Sequence, residues 1–148
     1  MPGIGTTYNQ LITQIITDLK TITELTTDGD DVRVHKWKVS HEPMVGRYEA
    51  VVMAGPMEIL GGVTTHATDN RFTVIVDLLH YAEEYEQGFV NALTVAEKIY
   101  DKFHLKNISS LVRLAKVSLF PGDGELSRDN LLAIPIRILI QCDRVIIQ

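Results

Sequence analysis

The stretch "LLAIPIRILIQCDRVIIQ", residues 131–148, decides the fold. Leu132, Ile134, Ile136, Ile138, Ile140 and Cys142 fall on alternate positions. On an extended chain, alternate side chains share one face, so this is a long strand with a continuous apolar surface. About seventeen residues at ~3.3 Å each span roughly 55 Å. A globule built from 148 residues has a radius of gyration of ~15 Å and is about 40 Å across. A straight strand therefore overruns its own domain. Either it bends, at Pro135 or around Asp143–Arg144, or it pairs with a neighbouring subunit. Overrunning edges usually carry devices against pairing, and here only Pro135, Arg137 and Asp143 qualify. The second outcome makes Ile134, Ile136, Arg137, Ile138, Ile140, Asp143 and Arg144 a subunit interface, with Arg137 and Asp143 as inter-subunit charges. For Arg137 the plainer reading is an exposed strand residue.

Working outward, "RFTVIVDLLHY", 71–81, is a second strand, apolar on both faces and hence central. Residues 84–104 follow as a helix. Phe89, Ala92, Leu93, Ala96, Ile99, Tyr100 and Phe103 form its stripe. Glu83, Glu84 and Glu86 crowd its start and Lys98, Lys102 and Lys106 lie toward its end, which complements the helix dipole. A first amphipathic helix covers 7–23, on Tyr8, Leu11, Ile12, Ile15, Ile16, Leu19 and Ile22, with Thr6 or Thr7 as cap. Strands are expected at 32–39, 48–55 and 112–120, with turns at "DGDD", 28–31, and "PGDG", 121–124. Residues 55–70, "GPMEILGGVTTHATDN", contain three glycines and a proline and read as a long flexible loop. The expected fold is thus α+β and spans 1–148 as one domain. It has a mostly antiparallel sheet of about four to five strands and two main helices flanking it.

Candidate chemistry centres on "DLLHYAEEYEQ", 77–87, where Asp77, His80, Glu83 and Glu84 invite a metal or acid–base reading. Strand alternation opposes it, because Asp77 and His80 then point to opposite faces. The ordinary reading is a strand-end histidine followed by an acid-rich helix start. Asp77 on a mostly apolar face still needs a partner, and Arg113, Arg137 and Arg144 on neighbouring strands are the candidates. No H-E-x-x-H, G-x-S-x-G or phosphate-loop motif occurs. Cys142, the single cysteine, lies on the isoleucine face as a buried thiol, which leaves no intramolecular disulfide and makes a reducing compartment the default. Trp37 and Tyr48 read as interface anchors or, at least equally, as core packing residues. The expectation is no cofactor, no metal and no catalysis.

A net charge of −5 argues against a dedicated nucleic-acid binder. Residues 1–70 carry five basic and nine acidic groups and residues 71–148 nine and ten, so neither half is a charged tail. The start, "MPGIGTTYNQ", lacks the basic and apolar regions of a signal peptide. No run reaches ~18 apolar residues, so no segment is expected to span a membrane.

The order helix, strands, long loop, strand, helix, hairpin resembles the tail terminator (tail-completion) proteins of long-tailed bacteriophages. "YNQLITQIITDLKTI", "RFTVIVDLLHYAEEYEQGFVNALTVAEKIYDKF" and "LLAIPIRILIQCDRVIIQ" carry the resemblance, which is one of pattern and size without a diagnostic motif. It implies a virion protein assembled in the host cytoplasm as a hexameric ring. Such a ring caps the tail tube, stops its polymerisation and joins it to the neck or connector, while DNA passes through without specific binding. On that reading Met57, Glu58, Ile59, Leu60, Val63 and His66 in the 55–70 segment contact axial partners. The alternatives are another neck or head-closure ring protein, or a small metal-dependent enzyme or ligand-binding module using Asp77, His80 and Glu83.

Overall fold

The computed structural model describes residues 3–25, 34–36, 47–108, 114–122, 125–126 and 131–147. Helix α1 covers Ile4–Leu19 and a 3₁₀ turn Thr23–Leu25. Strands β1 (Val34–Lys36), β2 (Tyr48–Thr64) and β3 (Ala67–Ala82) follow. Helix α2 covers Tyr85–Phe103, and β4 (Lys116–Pro121), β5 (Glu125–Leu126) and β6 (Leu132–Ile147) close the chain. The sheet order is β1-β2-β3-β6-β4, with β5 also on β6. Among the described residues only the β1–β2 pair is parallel. The expected α+β class, mostly antiparallel sheet and two flanking helices are all present, and the two-residue β5 brings the strands among the described residues to six. The "DGDD" turn, Trp37, Arg113 and part of "PGDG" lie outside the described residues.

Why β6 can be so long is answered by its neighbours. It pairs with β3 over its whole length, from Ala82↔Leu132 to Ala67↔Ile147. Strand β3 in turn pairs with β2 from Tyr48↔His80 to Thr64↔Ala67. Three strands of sixteen or seventeen residues therefore run side by side, and the overrun is absorbed within the chain. On its other side β6 carries β4 and β5, so between Leu132 and Gln141 it is an interior strand.

The 55–70 segment is not a flexible loop. Residues 55–64 continue β2, Thr65 and His66 make a two-residue turn, and 67–70 begin β3. The sequence pattern hides this because register shifts between Ala54 and Met57, Ile59 and Gly61, and Gly62 and Thr64 break the alternation. Bulges, glycines and Pro56 are also what an edge strand uses to discourage stray pairing. Among the described residues nothing pairs with the outer edge of β2 beyond Val52.

Both helices pack on one face of the sheet. Leu11, Ile15 and Leu19 of α1, and Ala92, Val95, Ala96, Ile99 and Phe103 of α2, share a core with the even-numbered Phe72, Val74, Val76 and Leu78 of β3 and Ile134, Ile136, Ile138, Ile140 and Cys142 of β6. The four isoleucines are 0% exposed. Burying each side chain stabilises by roughly 1.5–3 kcal/mol, and that energy is already used inside the protomer. Ile134, Ile136, Ile138 and Ile140 are therefore core residues, and their side chains offer nothing to a neighbouring subunit.

Arg144 is likewise internal, at 5% exposure. Its Nη1 donates to Thr7 Oγ1 (2.9 Å) and Gln10 Oε1 (3.1 Å), which ties the first turns of α1 to β6. Tyr8 adds a second tether, donating to the Gly55 carbonyl at 2.8 Å and meeting Phe72 edge-on at 5.1 Å. The segment that follows α1 is joined to α2 by the Lys98–Glu24 ion pair and the Lys102–Thr21 hydrogen bond. Gly88 sits where α2 crosses the sheet. A Cβ there would lie 2.6 Å from Ile134 Cδ1 and closer still to Ala82 Cβ. No described helix is long and apolar enough to cross a membrane.

Candidate functional site

The odd-numbered residues of β3 and β6 face away from the helices, and registers align them in rows. One row is Val51, Asp77, Arg137 and Phe120, the next is Met53, Ile75, Leu139 and Ser118, and a distal row is Glu58, Arg71 and Asp143. Most of these side chains are half-buried or exposed. An antiparallel sheet with one covered face alternates apolar and polar residues. Among the described residues no helix lies on this face, and it mixes aliphatic side chains with ion pairs.

Asp77 has its account here. Arg137 stands directly opposite it and grips it with two bonds, Nε to Oδ1 at 2.9 Å and Nη2 to Oδ2 at 3.1 Å. Of the three arginines named from sequence, the strand register selects Arg137. Asp143 is held in the same way by Arg71, at 3.0 and 3.3 Å. Arg137 and Asp143 thus have partners within the chain, so neither needs a second subunit to neutralise it. Both guanidiniums are held further in their charged form, Arg71 by Asp143 first and then by Glu58 and Asp69, and Arg137 by Asp77. Arg71 was missed in the sequence because its role depends on a register that alternation alone does not supply.

At the distal end of the three long strands the surface becomes apolar. Ile59, Leu60 and Val63 are 62%, 40% and 56% exposed, and Ile147, opposite Ala67, is 50% exposed. Glu58 and His66 are exposed beside them, whereas Met57 turns toward Phe72 and packs on the core. Five of the six residues expected to meet an axial partner are therefore presented outward, on a paired hairpin rather than a loop.

The 77–87 stretch resolves into two separate places. Asp77 is on the open face. His80 is on the helix side, 3% exposed, with its ring stacked on Tyr48 at 4.1 Å and its Nδ1 3.2 Å from the Arg47 carbonyl. Burial pushes its pKa down, against the opposing pull of that carbonyl. With Tyr48, Glu83, Glu84, Gln87 and Asn91 it lines a pocket of about 320 Å³ at the start of α2. Among the described residues no cluster of three His, Cys, Asp or Glu side chains could hold a metal. Cys142 is 0% exposed and its thiol is pushed up to about 12, chiefly by burial, so it is a poor nucleophile.

No family model and no curated protein sequence matches the chain. Among solved structures, a chain from the virion of a native gene transfer agent particle aligns at 13% identity with a TM-score of 0.47, covering 87% of this chain and 91% of its own. A second, whose name states no function, aligns at 16% identity with a TM-score of 0.51 over 96% of both chains. At that identity the second likeness shows a shared fold over nearly the whole length of each chain.

Proposed function

We propose that the chain is a non-enzymatic virion structural protein of the tail terminator type, a subunit of a closed ring that caps the tail tube. The carrying observation is the distal end of the β2–β3 hairpin with the end of β6. It is a hydrogen-bonded arm that presents Ile59, Leu60, Val63 and Ile147 to solvent. Clustered exposed apolar side chains on a rigid element mark a contact surface. Head-to-tail contacts that close a ring need two different patches on each subunit. The arm supplies one, and the open face, with its Met53–Ile75–Leu139 row, supplies another. The order of elements, which resembles the tail terminators, supports the same reading.

On this reading the ring is a hexamer that meets tail-tube protein on one side and neck or connector protein on the other. Termination is steric, since a capped end lacks the surface that the next tube ring requires. DNA passes through without specific contacts, as a net charge of −5 favours. Another neck or head-closure ring would use the same arm and differ only in partner. The small-enzyme alternative loses its residue set, because Asp77 is paired with Arg137 on the face away from His80.

Arm variants test the proposal. Ile59→Lys with Val63→Lys changes exposed positions, so stability should move by no more than about 0.5 kcal/mol per site. Tube polymerisation in the presence of the variant, followed by electron microscopy, should give tubes that are no longer capped. Tubes capped as efficiently as by the parent chain would remove the arm from the proposal. Capture of neck protein but not tube protein would move the chain to the neck.

A further inference from the structure

The pocket at the strand-to-helix joint has a chemistry that neither the fold nor the ring reading uses. His80 is almost wholly buried, yet among the described residues only one of its ring nitrogens has a hydrogen-bond partner. A carbonyl oxygen only accepts hydrogen bonds, so Nδ1, facing the Arg47 carbonyl, carries the proton. In the neutral ring Nε2 is then a bare acceptor. Among the described residues no donor faces it, and His80 lines the pocket. The stack on Tyr48 fixes the plane of the ring.

The rest of the lining asks for the same kind of group. Glu83 and Glu84 stand at the rim, exposed and with no ion-pair partner among the described residues. Glu84 occupies the N-cap position of α2 but makes no side-chain cap. Gln87 donates its amide to Asn91 Oδ1, which leaves its own oxygen as a further acceptor. The N-terminus of α2 contributes about half a positive charge, against two full carboxylates. The sum is an acceptor-rich, net negative recess lined by one imidazole nitrogen.

We infer that this pocket binds a cationic side chain, the guanidinium of an arginine or the ammonium of a lysine, presented by a partner chain. The cation donates to His80 Nε2 and to Glu83 and Glu84, which line the same pocket. A planar guanidinium, with five donors, matches more of these acceptors at once than an ammonium with three. The inference does not depend on whether the chain forms a ring.

The test uses the full chain, with the His80 ring nitrogens followed by long-range proton–nitrogen NMR. Nα-acetyl-arginine methylamide is titrated in, with the citrulline analogue as a neutral isostere. A saturable shift of His80 Nε2 is expected, at least tenfold weaker with citrulline. Glu83→Gln with Glu84→Gln, at exposed positions that leave the fold intact, should weaken the arginine probe about tenfold or more, since a hydrogen bond to a charged group is worth ~1.5–3 kcal/mol and 1.4 kcal/mol is tenfold. No saturable shift, equal response to citrulline, or an unchanged response in the double variant would each overturn the inference.

Discussion

Replacing Gly88 by alanine sets two effects of known size against each other. In an exposed helix interior the change stabilises by ~0.8–1.0 kcal/mol through helix propensity. Here the added Cβ would sit 2.6 Å from Ile134 Cδ1 and nearer still to Ala82 Cβ, where carbon contacts are most favourable at ~3.5–4.0 Å. Ile134 can turn its terminal methyl away at a cost of ~0.5–1.5 kcal/mol. Ala82 has no torsion that moves its Cβ, so the helix must lift off the strand, and overpacking of this kind costs ~1–3 kcal/mol. Repulsion wins. The net loss should be about 1 kcal/mol and at most about 3. At this chain length that lowers the midpoint by ~2–4 °C per kcal/mol. Ala82→Gly, costing ~0.5–1 kcal/mol alone, removes the immovable partner. The double variant should then be more stable than the two single losses predict, by about 1 kcal/mol. Urea denaturation of the four proteins measures this coupling. A stabilised Gly88→Ala chain, or additivity within ~0.3–0.5 kcal/mol, would refute the close crossing of α2 over the sheet.

Three further outcomes follow from the same geometry. A double-mutant cycle on Asp77→Asn and Arg137→Met should give a coupling of about 0.5–1 kcal/mol, small because the pair is partly exposed at 27% and 55%; it should not vary with protein concentration, as an inter-subunit pair would. His80 is depressed by burial, so the unfolded chain binds its proton first. Stability should fall as pH drops below the unfolded value of ~6.5 and level off beneath the folded one, and a His80→Gln chain should lack that segment of the pH profile. Cys142, with its thiol pushed up to about 12, should react with a thiol reagent only as fast as the chain unfolds; rapid modification of the native state would contradict its burial.

The two helices and the strands β3 and β6 were legible because their apolar residues repeat without interruption. Val74, Val76 and Leu78, like Ile134 to Ile140, sit inside as alternation requires. What escaped the sequence was pairing. The overrun of β6 was real, but β2 and β3 match its length, and three register shifts disguised half of β2 as a loop. The isoleucine face was misjudged as an interface for the same reason, since a strand's apolar face does not say whether a helix of its own chain covers it. Arg144 shows this most plainly, because a charge near the end of a strand reads as exposed, yet here it is buried under α1 against Thr7 and Gln10. Asp77 was placed correctly on the far side from His80, and three candidate partners narrowed to Arg137 once the register was known.

The central claim, a ring subunit that engages its partners through the β2–β3 arm, is tested most directly by electron microscopy of the particles that carry this chain. Averaged images labelled at the chain should show one closed ring of copies at the neck end of the tail tube, with the arm residues Ile59, Leu60 and Val63 at its contacts. Particles that lack the chain, or carry it as isolated copies away from the tube end, would contradict the account.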